Sequence, residues 1–394
     1  MWRNGSMPFH HTVHPNGRDG GMSGESGTRE LRATGLQGVS LGETEIALVD
    51  GENGRLIYRG HDAERLAHES TFEATAFLLW NGRLPDDGEL SDLSHRAVAG
   101  MTLPPQVHDA IRACGPDALA MDVLRTGLSV WGALRGRAEG GDSADALWAL
   151  AATPAIVADF ARIRSGAEPV APDPDLGIVE NYLWKLSGKR PDPAQARALD
   201  AYFILGAEHG MNASTFTARV IVSTLSDLAS GLVGAVGALK GPLHGGAPSH
   251  VSHMIDEIGT AENAEPWLRR KLDAGEVLMG FGHRVYRTYD PRARALGEIA
   301  EGLAGENERL ALARHVEEIA LRLLDEYKPG RRLYTNVEYY AAVVLGGIDL
   351  PPDLYPSTFA AARTAGWTAH ILEQLQHNRL IRPTVDYVGP MPES

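Results

Sequence analysis

From Asp62 to the C-terminus, apolar residues keep returning at the spacing of an α-helix, and nothing else in the chain constrains its fold as much. Thr71 precedes the run Phe72–Trp80, and Asn81-Gly82 with Pro85 beyond it predicts the stop. Asp192-Pro193 opens another stretch, carried by Leu199, Tyr202, Phe203 and Leu205 and ending near His209. Ser214–Leu239 reads as one long helix through Phe216, Val220, Ile221, Leu225, Leu228, Leu232 and Val236. Glu306–Tyr327 and Ser357–Gln376 repeat the pattern. One β signal comes before all of this. Glu43–Val49 and Arg55–Tyr58 are strand-like around Asp50–Gly54, which carries two turn signals. A mainly α fold with a small N-terminal β-hairpin is predicted, without a repeat of solenoid length.

Composition narrows the function classes. A chain of 394 residues suggests two domains, or one large domain with a smaller one inserted. With 37 Lys and Arg against 51 Asp and Glu, the net charge is −14, which argues against a nucleic-acid surface. The sole cysteine, Cys114, excludes an intrachain disulfide and a cysteine-cluster metal site, and fits a reducing compartment. Charged residues are expected to interrupt every apolar run before about 18 residues, so no membrane span is predicted. Residues 1–34 mix Gly, Ser, Asn and His without a period and read as a disordered tail, an over-long start with Met22 a candidate natural one. No apolar stretch of about 7–15 residues marks a secretory signal there, and a cytoplasmic protein is expected. Glycine is in excess, 44 of 394 against roughly 7% in ordinary chains, which asks for tight turns or close backbone approach.

The chemistry-bearing residues stand in glycine-rich company. Of 15 histidines, His68, His95, His108, His315 and His377 read as ordinary surface or core residues, whereas glycine flanks His209, His244 and His283. None has the spacing of a helical metal pair, and His250 with His253 lacks a third ligand, so no metal site is predicted. Arg284, Arg287, Arg292 and Arg294 crowd around Tyr289-Asp290-Pro291, Arg363 lies in an apolar helix, and Arg382 stands in Leu380–Pro383. A guanidinium fork suits planar carboxylates and phosphates, so a few arginines beside such histidines suggest a small polyanionic substrate. Arg363 reads equally as half of a buried ion pair, and Arg287 and Arg294 as parts of a solvated face. In Thr335–Tyr340 the lone carboxylate of Glu338 suits a desolvated base or a helix-start cap alike.

Seven ordered blocks now carry a family resemblance. They are Gly35–Ala67, His209–Val220 (HGMNASTFTARV), Ala238–Pro248 (ALKGPLHGGAP), Gly280–Ala293 (GFGHRVYRTYDPRA), Asn336–Tyr340 (NVEYY), Arg363–His370 (RTAGWTAH) and Arg379–Pro383 (RLIRP). Together they resemble citrate synthase over everything except the tail. The resemblance implies a two-domain helical fold: a large domain of 35–246 and 350–394 that dimerises, and a small mobile domain of 247–349 that binds CoA and closes. It implies condensation of acetyl-CoA with oxaloacetate, followed by thioester hydrolysis, with no cofactor and no metal. Glu338 would take the α-proton, His244 would donate to the thioester oxygen, and His283 would polarise the ketone and protonate the alkoxide. His209, Arg292, Arg363 and Arg382 would hold oxaloacetate, Arg382 reaching across a homodimer. CoA would use Leu278, Gly280, Phe281 and Gly282, with Arg287 and Arg331 near phosphates. Two departures stand out: Glu338 where the family's usual base is Asp, and Pro248 where Asn-Glu is more usual. The alternatives are a 2-methylcitrate synthase using propionyl-CoA, or a weakly active CoA- or dicarboxylate-binding homologue.

Overall fold

The computed structural model describes residues 35–392 except 37, 137–141, 246, 284 and 304–307; the tail expected at 1–34 lies outside the described residues. Residues 44–394 form one compact unit, separate from residues 1–43. Its first elements are three antiparallel strands, β1 (Ala47–Asp50), β2 (Arg55–Tyr58) and β3 (His61–Asp62), in the order β1-β2-β3. Ala47 pairs with Tyr58 and Asp50 with Arg55. The Asp50 carboxylate shapes the turn by accepting from the Asn53 backbone (3.1 Å) and side-chain amide (2.8 Å).

Sixteen α-helices follow among the described residues. They are α1 (Ala63–Glu69), α2 (Phe72–Asn81), α3 (Asp87–Gly100), α4 (Pro105–Cys114), α5 (Ala120–Arg135), α6 (Asp142–Arg164), α7 (Ile178–Ser187) and α8 (Pro193–Gly206). Then come α9 (Ala213–Val222), α10 (Leu228–Leu239), α11 (Ala247–Ile258), α12 (Ala261–Asp273), α13 (Pro291–Ala300), α14 (Glu308–Tyr327), α15 (Val337–Gly347) and α16 (Tyr355–Gln376). The fold is mainly α, as the periodicity predicts. Local chemistry sets the boundaries: Thr71 caps α2 by accepting from the Ala74 amide at 3.2 Å, and Gly82 ends it in the left-handed region. Pro248 falls in the first turn of α11, where a proline costs no helical hydrogen bond.

One expectation is corrected. Ser214–Leu239 is two helices, broken where Leu225 turns to φ 66° and Asp227 caps α10 through the Ser230 amide (2.8 Å). The break folds α10 back on α9. Gly231 then faces Val222 and Ile371, and Gly234 faces Ile221, all of the same chain, while a Cβ on Gly237 would meet nothing. Asp145 and Asp159 interrupt the apolar run of α6 as expected, yet Ser143–Arg164 still has the length and composition of a membrane-crossing helix. Most of that stretch is buried inside the protein, so it is a core helix. Around it and α16 lie the large buried side chains Trp367, Tyr182, Tyr202 and Phe203.

Candidate active site

Two distant segments are stitched together by their backbones. Phe281 bridges to Thr335, the Gly282 amide donates to the Tyr334 carbonyl (2.7 Å), and the Asn336 amide donates to the Gly280 carbonyl (2.9 Å). Gly280 and Gly282 take φ 88° and 84°, and a Cβ would meet the Tyr339 ring at 2.8 Å and Leu333 at 2.9 Å respectively. Only glycine satisfies both the dihedral and the space. The stitching sets His283 beside the start of α15, which carries Glu338.

The protonation of His283 follows from its neighbours. Its Nδ1 accepts from the amides of Val285 (3.0 Å) and Tyr286 (3.2 Å). Amides only donate, so the imidazole proton resides on Nε2. Burial, then the nearby Arg292, push His283 down to about 4, leaving it neutral at pH 7. Nε2 lies 3.5 Å from an Arg292 Nη2. Both atoms carry hydrogens, so two donors converge with no acceptor between them.

Asp290 organises the other side. It caps α13 through the Arg292 amide (3.1 Å), grips the Arg292 fork at 3.0 and 2.9 Å, and accepts from the Val337 amide at 3.0 Å. One buried carboxylate therefore ties Arg292 to the helix of Glu338. Burial alone would depress Arg292, but Asp290, with Tyr286 and Glu338 adding to it, more than offsets it and the guanidinium stays charged.

Glu338 sits at the second residue of α15, and Asn336 supplies the cap by accepting from the Glu338 amide at 3.0 Å. The carboxylate itself has no hydrogen-bond partner among the described residues. Burial pushes it up to about 7, with Arg292 pulling down, Asp290 up and Arg363 down. His244 follows α10, and its Nε2 accepts from the Ser214 amide (3.3 Å) beside the Ser214 hydroxyl (2.9 Å), which leaves Nδ1 as the donor. Trp367 fixes that serine through Nε1 (3.0 Å). Burial, then Arg363, push His244 down to about 4.

His209 faces the same space: its ring lies edge-on to His283 at 5.4 Å and its Nε2 is 3.2 Å from the Tyr286 hydroxyl. Burial, with Arg292, Arg363 and His283 adding to it, holds His209 well below the usual histidine range. Arg363 is 2% exposed, donates Nε to the Gly206 carbonyl (2.6 Å) and stacks on Phe359. Among the described residues no carboxylate lies within ion-pair distance of it, so the buried-pair reading fails. Arg294 lies 3.8 Å from Glu64 on an exposed face.

The proposed CoA residues divide. Arg287 and Arg331 line a cleft of about 370 Å³ together with His283, Tyr286, Glu52 and Arg332. Leu278 and Phe281 have buried side chains, Phe281 against Tyr339, and neither residue lines this cleft. Arg382 is exposed in the segment after α16 and is not brought to these groups. Sequence reasoning missed Asp290, Tyr286, Ser214 and Arg332. For Asp290 the Asp-Pro helix start was a signal, and for Arg332 its place beside Arg331.

The family profile described as "Citrate synthase, C-terminal domain" matches residues 35–384. The chain belongs to the citrate synthase family. It is 41% identical over 364 residues to citrate synthase 2 of Bacillus subtilis, covering 90% of this chain and 95% of that one. Citrate synthase of Synechocystis is 38% identical, covering 91% of each. The citrate synthase of Thermoplasma acidophilum, solved as a ternary complex with carboxymethyl coenzyme A and oxaloacetate, superposes with a TM-score of 0.84 at 31% identity, covering 91% of this chain and 97% of that one. The Pyrobaculum aerophilum enzyme gives 0.84 at 36%, covering 91% and 93%. As a citrate synthase family member, the chain is an enzyme of the acyl-transferring type.

Proposed function

We propose that this enzyme condenses acetyl-CoA with oxaloacetate and water to give citrate and CoA. The observation that carries the residue assignments is the pair of donors, His283 Nε2 and Arg292 Nη2, converging without an acceptor beside a carboxylate raised to about 7. A ketone oxygen between them becomes the better electrophile, and the alkoxide formed from it is stabilised where it develops. Glu338 removes the α-proton of the acyl-CoA while His244 donates from Nδ1 to the thioester oxygen, so charge never builds fully on the enolate. The enol carbon attacks the ketone, and His283 gives its Nε2 proton to the new alkoxide. Water then attacks the thioester carbonyl and gives a proton back to His283, and CoA leaves as the thiol with the proton that Glu338 took, which restores both groups. His209, Arg292 and Arg363 hold the two carboxylates, and Arg287, Arg331 and Arg332 face the CoA phosphates.

The reading includes a homodimer in which Arg382 completes the partner's diacid pocket. It includes closure of residues 247–349 over the site, excluding water from the enol. It draws support from the relative solved with oxaloacetate and a CoA analogue. A single cysteine and an acidic composition support a reducing, cytoplasmic setting. The test is steady-state thiol release from acetyl-CoA and oxaloacetate, wild type beside Glu338→Gln. Wild-type turnover that the variant abolishes supports the proposal, and binding of both substrates without CoA release sinks it. The ratio of kcat/KM for acetyl- and propionyl-CoA decides the acyl group.

A further inference from the structure

We infer that Arg219 and His370 are positioning residues for the diacid pocket, acting from behind it through the buried carboxylate of Glu208. The inference rests on the reading of His209 and Arg363 as diacid ligands. His370 lies on α16 two turns beyond Arg363 and is completely buried. Its Nδ1 is 3.0 Å from an Arg219 Nη1. A guanidinium only donates, so Nδ1 accepts and the imidazole proton resides on Nε2. That Nε2 lies 3.2 Å from Glu208 Oε1, a close contact that lacks hydrogen-bond geometry, and Oε1 accepts from the Gly210 amide. The Glu208 carbonyl accepts from the Tyr58 hydroxyl at 2.9 Å. Glu208 therefore brackets His209, fixed through its own carbonyl on one side and through Gly210 on the other.

The same carboxylate serves Arg363 without occupying it. Glu208 Oε2 has no hydrogen-bond partner among the described residues, and its field is the main one opposing the desolvation of Arg363. Space for this oxygen exists only because residue 366 is glycine, whose Cβ would strike it. Held at field distance rather than in contact, Glu208 keeps the guanidinium charged and leaves its fork free for an anion. Arg219 can anchor this arrangement because its plane holds three partners: His370, Glu373 (2.6 Å) and Gln374 (3.0 Å). Gln374 in turn donates to Asn378 (3.1 Å) and to the Arg379 carbonyl (3.3 Å), at the root of the segment bearing Arg382.

The test uses the full-length enzyme with His370→Leu, His370→Gln and Arg219→Lys. KM for oxaloacetate and for acetyl-CoA is measured beside oxaloacetate Kd by calorimetry and the thermal midpoint. Leucine at 370 is expected to raise oxaloacetate KM and Kd by about tenfold, the scale of a misplaced ligand-binding group, with acetyl-CoA KM within about twofold. His370→Gln, which keeps one acceptor and one donor, should recover most of that loss. Arg219→Lys should not match wild type, since an ammonium cannot hold three partners in one plane. If His370→Leu fails to fold, the Gln and Lys variants carry the comparison. Wild-type oxaloacetate KM in a folded Arg219→Lys enzyme, or equal shifts for both substrates, overturns the inference alone. Failure of wild type to bind oxaloacetate overturns the proposed function with it.

Discussion

As the proposed base, Glu338 has to be a weak enough acid to hold and release a proton near neutrality. Its carboxyl is pushed up to about 7 by burial, while His244 and His283 are pushed down to about 4 and stay neutral above pH 5. The reactive form of Glu338 is the carboxylate. So kcat/KM for acetyl-CoA should rise about tenfold per pH unit below about 7 and flatten above it, with one ionisation between pH 5 and 8. A profile flat across that range would remove Glu338 as the base. Glu338→Asp keeps the carboxylate but withdraws it by one methylene, and should cost up to about 10² in kcat. Sequence alone left base and cap unresolved here, because both roles ask for an acid at a helix start. The Asn336 side chain resolves the capping by taking the Glu338 amide. Asp290 escaped notice for the same reason: an Asp before a Pro reads as a cap, and its grip on Arg292 and Val337 exists only in three dimensions.

At the scale of elements, the turn Gly280–His283 and the start of α15 behave as one unit. Gly280→Ala should destabilise the protein by about 1–3 kcal/mol, because it adds a Cβ at φ 88° against the Tyr339 ring. Urea unfolding measures that cost, and kcat should fall with it, since the His283 turn shifts too. Unchanged stability would mean that the backbone relaxes freely there. Periodicity located α2, α8, α14 and α16, because a buried stripe repeats every three to four residues whatever it packs against, but it did not pick out the long helices α5 and α6. It missed the break between α9 and α10 because the apolar spacing runs on through Leu225 and Leu228. The interruption comes from Asp227 capping a new helix and from a single left-handed residue. The excess of glycine was legible as a demand for tight turns or close backbone approach. Where the fold meets that demand was not, and on α10 Gly231 and Gly234 face side chains of their own chain.

For the whole molecule, the decisive residue is Arg382, whose block is plain in sequence, which is exposed in this chain and which is proposed to enter the partner's site. If the proposed dimer is right, mixing Glu338→Gln with Arg382→Gln restores one complete site per hybrid dimer. Random exchange makes half the dimers hybrid, so about a quarter of wild-type activity should return from two inactive parents. No recovery after verified subunit exchange would keep Arg382 within its own protomer or outside the site. The rest of the chain's large-scale order is held by quieter contacts, among them the tip of the β1–β2 hairpin. Gly51 has no room for a side chain because a Cβ there would strike the Val285 carbonyl, and its own carbonyl takes the Arg287 amide at 2.9 Å. That amide proton joins the β1–β2 turn to the loop of His283 and Arg287. Its exchange with deuterium is therefore a clock for the cleft: slow while hairpin and loop stay together, and faster by the fraction of time they part.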